Sequence, residues 1–194
     1  LYWGLYILAE RPFEFFCAAY FGGEEEEWDA INRGESRGDG NLTTWNAMLN
    51  QARAGLADAA SYQKIQGNNA DGTPNPAYTD LLDVDNYVDY MFCNFWGGTG
   101  DWPGHNYYAA CRRAPNSTGF KFFNWDAEGA ILIWSSLNAN VTSVSDGAAI
   151  PYAALRQNPE FCLLFADHVQ KHLFNAGPAT SGPSYARYKK LADE

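Results

Sequence analysis

The chain has 194 residues, 46% of them hydrophobic and 16% aromatic, which suits one domain or one large lobe of a bigger one and excludes a disordered segment. Its net charge of −10 argues against a general nucleic-acid binder or a binder of anionic membranes, and no apolar run reaches membrane-spanning length. Four dispersed cysteines (Cys17, Cys93, Cys111 and Cys162) include no C-x-x-C pair, so they read as free, mostly buried thiols rather than as a zinc or thioredoxin-type site.

Residues 1–9 (LYWGLYILA) have no initiator Met, no basic stretch and no small-residue cleavage site. They read as a buried strand entered midway rather than as a signal peptide, so the parent protein is expected to continue upstream. A short amphipathic segment over 13–21 is stopped by Gly22-Gly23, and the acidic run 24–27 reads as solvated surface. Residues 32–41 are rich in Gly, Asp and Ser and predict a loop. Thr44 is placed to cap a helix carrying Trp45, Met48, Leu49, Ala52 and Leu56. Residues 67–78 predict a second irregular loop, since Asp71-Gly72 lacks the alternating acids and distal Glu of a calcium loop.

Val84, Tyr87, Val88, Met91, Phe92 and Phe95 recur at helical spacing, which predicts an apolar-faced helix capped by Asp83 and ended by Gly97-Gly98. A Gly/Pro-rich loop over 97–106 then leads to two aromatic runs, 107–113 and 120–125. The turn between them makes an antiparallel hairpin the simplest arrangement. Further helices are expected over 152–155, over 159–174 with Phe161, Leu164, Phe165, Val169 and Leu173 inward, and over 185–191. His168 and His172, four residues apart, lack the glutamate of an H-E-x-x-H zinc helix and read as a solvated face. N-x-S/T triplets at Asn41, Asn116 and Asn140 leave glycosylation open. The fold class is α+β, mainly helical with a small β-hairpin.

Asp101 and Asn106 have the spacing of the Asp and Asn in a kinase catalytic loop, and Asp126 follows the hairpin as a metal-binding Asp does. Phosphoryl transfer needs anionic oxygens to gather a hard Mg²⁺, and a loop held by a rigid helix supplies two of them in one reach. Glu128 shares the side of Asp126 if that segment is extended, which makes it a candidate further ligand. His105 is placed to bond a phosphate or Asp101, or to steady the turn. Trp96 and Trp102 flank the loop and suit packing or stacking on adenine. Taken alone, D-x₄-N also describes two ordinary surface turns.

The segments 2–10, 87–96, Asp101-Trp-Pro-Gly-His-Asn106, Phe122-Phe-Asn-Trp-Asp126, 158–161, 165–169 and 173–175, occurring jointly and in order, resemble the CotH (spore coat protein H) family of atypical protein kinases across most of the chain. The resemblance implies an atypical protein-kinase-like catalytic lobe that uses ATP and Mg²⁺ to phosphorylate Ser or Thr hydroxyls of a protein substrate. It implies Asp101 as the catalytic Asp, Asn106 and Asp126 as Mg²⁺ ligands, and Tyr6 and Glu10 as nucleotide contacts beside the hinge. Residues 1–194 then form a CotH kinase-like domain incomplete at its N-terminus. The family's phosphate-binding Lys lies on an earlier strand and Lys121 does not stand in for it, so this polypeptide alone is expected to be inactive. Family members also imply a cell-surface or spore-coat setting, and fungal relatives described as host-cell invasins make an inactive adhesion or protein-binding module the alternative.

Overall fold

The structure, a computed structural model, describes residues 9–130 and 139–193. The strand expected over 1–9 therefore falls almost wholly outside the described residues, as does Tyr6.

The sheet is larger than the expected hairpin. Strands β1 (Trp28–Asn32), β2 (Glu35–Arg37), β3 (Tyr107–Arg112) and β4 (Lys121–Asn124) form one antiparallel sheet in the order β2-β1-β3-β4. The β3–β4 hairpin pairs Tyr107 with Asn124 and Ala110 with Lys121, in line with the aromatic runs. The loop reading of 32–41 is corrected by β2. Asn32 pairs with Glu35, so the turn is Arg33-Gly34, and both have positive φ (56° and 77°). That is the two-residue hairpin geometry, which matches strand twist but is usually signalled by Asn-Gly or Asp-Gly rather than Arg-Gly.

Side-chain alternation along the strands divides the interior in two. Ile31, Tyr107, Ala109, Cys111 and Phe122 face the main core, while Trp28, Ala110 and Phe123 face α1 (Glu14–Phe21), where Cys17 is fully buried. Burial raises the Cys17 thiol to about 12 and Cys111 to about 11, so both behave as small apolar groups. Cys93 and Cys162 are exposed, against the expectation of mostly buried thiols. The buried Asp29 ties the sheet to its surroundings: it ion-pairs with Arg113 and accepts from the Asn41 amide N–H at 2.7 Å.

Helix α2 (Thr43–Ala54) buries Trp45, Met48, Leu49 and Ala52, but its cap is not Thr44. The N-cap position falls on Leu42, which offers no side-chain bond, and the Asn41 side chain just ahead of it accepts from the Thr43 N–H at 2.8 Å. A short α3 (Ala59–Lys64), capped by Asp58, was not foreseen. Helix α4 (Val84–Gly97) begins as expected, with the Asp83 carboxylate accepting from Asn86 N–H at 3.0 Å, and Gly98 ends it in the left-handed region. Its apolar face packs on β4, and α6 (Pro159–Leu173) packs on α4 after α5 (Ile150–Leu155). A last helix, α7 (Ser181–Asp193), is longer than expected. Among the described residues no helix is long and apolar enough to cross a membrane.

Candidate active site

Two loops meet beyond the end of α4, and each is fastened from behind. In the first, residues 98–106, Trp102 turns inward. Its indole N–H donates to the Tyr90 hydroxyl at 2.6 Å, and its ring packs edge-on against Tyr90 and Phe95. Trp102 therefore anchors the loop, whereas Trp96 is half exposed. Pro103, buried, accepts from Ala148 N–H at 3.0 Å. Gly147 makes that approach possible: it has φ +49°, and a Cβ there would lie 2.2 Å from the Pro103 carbonyl oxygen.

The second loop leaves β4. The Asn94 side-chain N–H donates to the Asn124 amide oxygen at 2.6 Å and to Tyr90 O at 2.9 Å, which clamps the strand end to α4. Trp125 packs edge-on against Tyr108. Asp126 then opens a 3₁₀ turn, Ala127–Gly129. The premise that 126–128 is extended is thus overturned, and Glu128 stands exposed in the turn rather than on the same strand side as Asp126.

The loops touch at two points. The Asn106 side-chain N–H donates to Asp126 O at 3.4 Å, and Gly100 N–H donates to Gly129 O at 3.4 Å. The Asn106 amide donates with Nδ2, so Oδ1 is the ligand atom it can offer. Asp101 is exposed, with its Oδ1 3.3 Å from His105 Nδ1, the Asp-facing option foreseen for that histidine. Asp101, Asn106 and Asp126 share one further property. All three have left-handed backbone (φ 58°, 55° and 55°), and they make up half of the six non-glycine residues in that region among the described residues. Asp and Asn adopt this conformation more readily than most side chains, and such backbones gather at functional loops.

Glu10 lies apart from the loop pair. It accepts from the Tyr20 hydroxyl at 2.7 Å, a bond that raises the phenol above its ordinary value, and it borders a cleft of about 450 Å³. The cleft runs between Pro12, the Asn86–Cys93 side of α4 and Phe122–Trp125, so it ends one residue short of Asp126. A larger hollow of about 570 Å³, around Gln66, Asp80 and Pro115, holds none of the candidate residues. Lys121 does not point toward the loops: it ion-pairs with Asp83 at the opposite end of β4 from Asp126.

The structure adds groups that the sequence reading missed. The Asn94–Asn124 clamp joins positions thirty residues apart, which no local pattern predicts. The two histidines of α6 are not solvated. They meet Asp89 of α4, at 2.6 Å from His168 Nδ1 and 2.7 Å from His172 Nε2. The signal was present: Phe161, Leu164, Phe165, Val169 and Leu173 define an inward face whose periodicity also takes in 168 and 172. Burial alone would raise the Asp89 carboxyl, but the hydrogen bonds from both histidines outweigh it and hold it below its ordinary value.

In comparisons with known proteins, a family model described as CotH kinase protein matches residues 1–176, a span that includes both loops. No curated protein and no solved structure gives a significant match. The match covers most of the chain and contains every segment on which the resemblance was drawn, so the chain belongs to the CotH kinase family.

Proposed function

We propose that this chain is the catalytic lobe of a protein kinase that transfers phosphate from ATP to Ser or Thr hydroxyls of a protein substrate. The observation that carries this reading is the pairing of the two loops, with Asp101, Asn106 and Asp126 on left-handed backbone and Asn106 bonded across to Asp126. The donor set fits Mg²⁺: the Asp126 carboxylate and the Asn106 amide oxygen are hard oxygen ligands on loops that solvent reaches. Glu128, exposed two residues along in the 3₁₀ turn, does not have the strand geometry that made it a ligand beside Asp126. Bound Mg²⁺ would supply charge neutralisation across the phosphates and orientation of the transferred group.

Asp101 is the proton acceptor in this reading. It takes or directs the proton of the attacking hydroxyl, and His105 at 3.3 Å fixes the orientation of its carboxylate. Asn106 and Asp126 hold the metal in this reading, and the bond from the Asn106 side chain to the Asp126 backbone carbonyl links the two loops that carry them, in keeping with catalysis by positioning. The cleft bounded by Glu10, Tyr90 and Trp125 is the place for the nucleotide base in this reading, with Glu10 as a contact.

Nucleotide binding by the full-length protein tests the metal assignment. Asp126→Ala should remove the Mg²⁺-dependent part of ATP binding, measured by calorimetry, while Asp101→Ala should leave it within about twofold, because Asp101 acts on the acceptor hydroxyl. Equal ATP affinity with and without Mg²⁺ in the wild type would overturn the ligand set.

A further inference from the structure

We propose that Asp89, His168 and His172 form a binding site for one zinc-class divalent cation that fastens α6 to α4. Among the described residues, this is the one group of three or more His, Cys, Asp or Glu side chains whose ligand atoms all lie within 4.8 Å of one another. Two imidazole nitrogens and one carboxylate oxygen suit Zn²⁺ and its neighbours, whereas Mg²⁺ and Ca²⁺ favour oxygen-only sites.

The arrangement is built into the interior face of the helix pair. The side chains of His168 and His172 are 13% and 16% exposed. Phe92 stacks on the His172 ring, with centroids 4.8 Å apart at 26°, which fixes the ring plane. His168 presents Nδ1 to Asp89 and leaves Nε2 facing Asp85 Oδ1 at 3.5 Å. A ligating histidine commonly gives its second nitrogen to a carboxylate in this way, which sets the tautomer and raises the basicity of the ligating atom. Both histidines converge on the same atom, Asp89 Oδ1, from one helix, while the carboxylate comes from the other.

The contacts of 2.6 and 2.7 Å are hydrogen-bond distances. Donor atoms about 2.0–2.2 Å from a tetrahedral ion stand roughly 3.4 Å from each other. Entry of the ion therefore requires the Asp89 side chain to retreat by about an ångström, and its 41% exposure gives it room on the solvent side. Three protein ligands leave the fourth position to water on that open side. Asp89 also borders the cleft beside α4, so an ion here would stiffen the helix that carries the 98–106 loop.

Zinc titration of the chelator-treated chain tests the proposal, followed by calorimetry, metal analysis and thermal melting. One Zn²⁺ should bind per chain, raise the Tm and resist a large excess of Mg²⁺. His168→Gln and His172→Gln keep a hydrogen-bond donor toward Asp89, so they should melt near wild type without metal yet lose at least about tenfold in zinc affinity. Asp85→Asn should lose about tenfold through the His168 tautomer. The exposed thiols Cys93 and Cys162 are the competing takers of zinc, so a Cys93→Ser/Cys162→Ser variant should bind undiminished. No stoichiometric uptake, unchanged uptake in the double Gln variant, or loss of uptake in the double Ser variant would each overturn the site. X-ray absorption of the zinc-loaded wild type gives a readout independent of variants: nitrogen and oxygen scatterers are expected, and sulfur contradicts the proposal.

Discussion

Asp101, Asn106 and Asp126 stand on left-handed backbone in two loops that touch, and a kinase assignment gives that shared strain a purpose. Their candidacy was legible because the chemistry fixes a spacing along the chain. The groups that hold them, Asn94, Asn124 and Ala148, were not legible, because they act across the fold rather than along it. Asp80 shows the same limit. It lies partly buried near Asp83, and one of its oxygens is buried without a partner. Burial first, then the charge of Asp83, raises its carboxyl from 3.8 to about 7. The folded state thus binds this proton more tightly than the unfolded chain does. The stability it contributes is full below about pH 4 and is lost as pH rises toward 7. Asp80→Asn removes that loss, so at about pH 8 the variant should melt about 2–4 °C above wild type, a figure kept low because solvent reaches part of the group. The difference should vanish near pH 4 in melts followed by circular dichroism, and a variant less stable at both values would refute the assignment.

Helix α4 organises the elements around it. Its periodicity and its Asp83 cap were readable from sequence, and it carries Tyr90, Asn94 and Phe95, which hold the two loops from behind. The β1–β2 hairpin was hidden because an acidic run precedes it and its turn is Arg-Gly, yet β1 lies between β2 and β3 and pairs with β3 along Trp28–Asn32. Tyr87 couples α4 to the segment behind the Pro103 turn. Its fully buried hydroxyl donates to Ala148 O at 2.8 Å and accepts from Tyr152 N–H at 3.0 Å. Tyr87→Phe leaves a backbone carbonyl and an N–H unpaired in the interior, so it should cost about 1–3 kcal/mol in urea unfolding. A change below about 0.5 kcal/mol would mean that water or rearrangement satisfies both groups.

At the scale of the whole molecule, the α+β architecture, the β3–β4 hairpin and the family were all readable, since each rests on patterns repeated along the chain. The four-stranded extent of the sheet and the Asp89–His168–His172 cluster were not, because both depend on which distant elements meet. Family membership and the paired loops together make phosphoryl transfer the central claim. Transfer of radiolabelled phosphate from ATP to a protein acceptor by the full-length protein, wild type against Asp101→Ala, tests it most directly. The variant should keep its fold and its ATP binding while losing transfer on the order of 10²-fold or more, as expected when a positioned proton acceptor is removed. Undiminished transfer by Asp101→Ala would contradict the assignment of this loop.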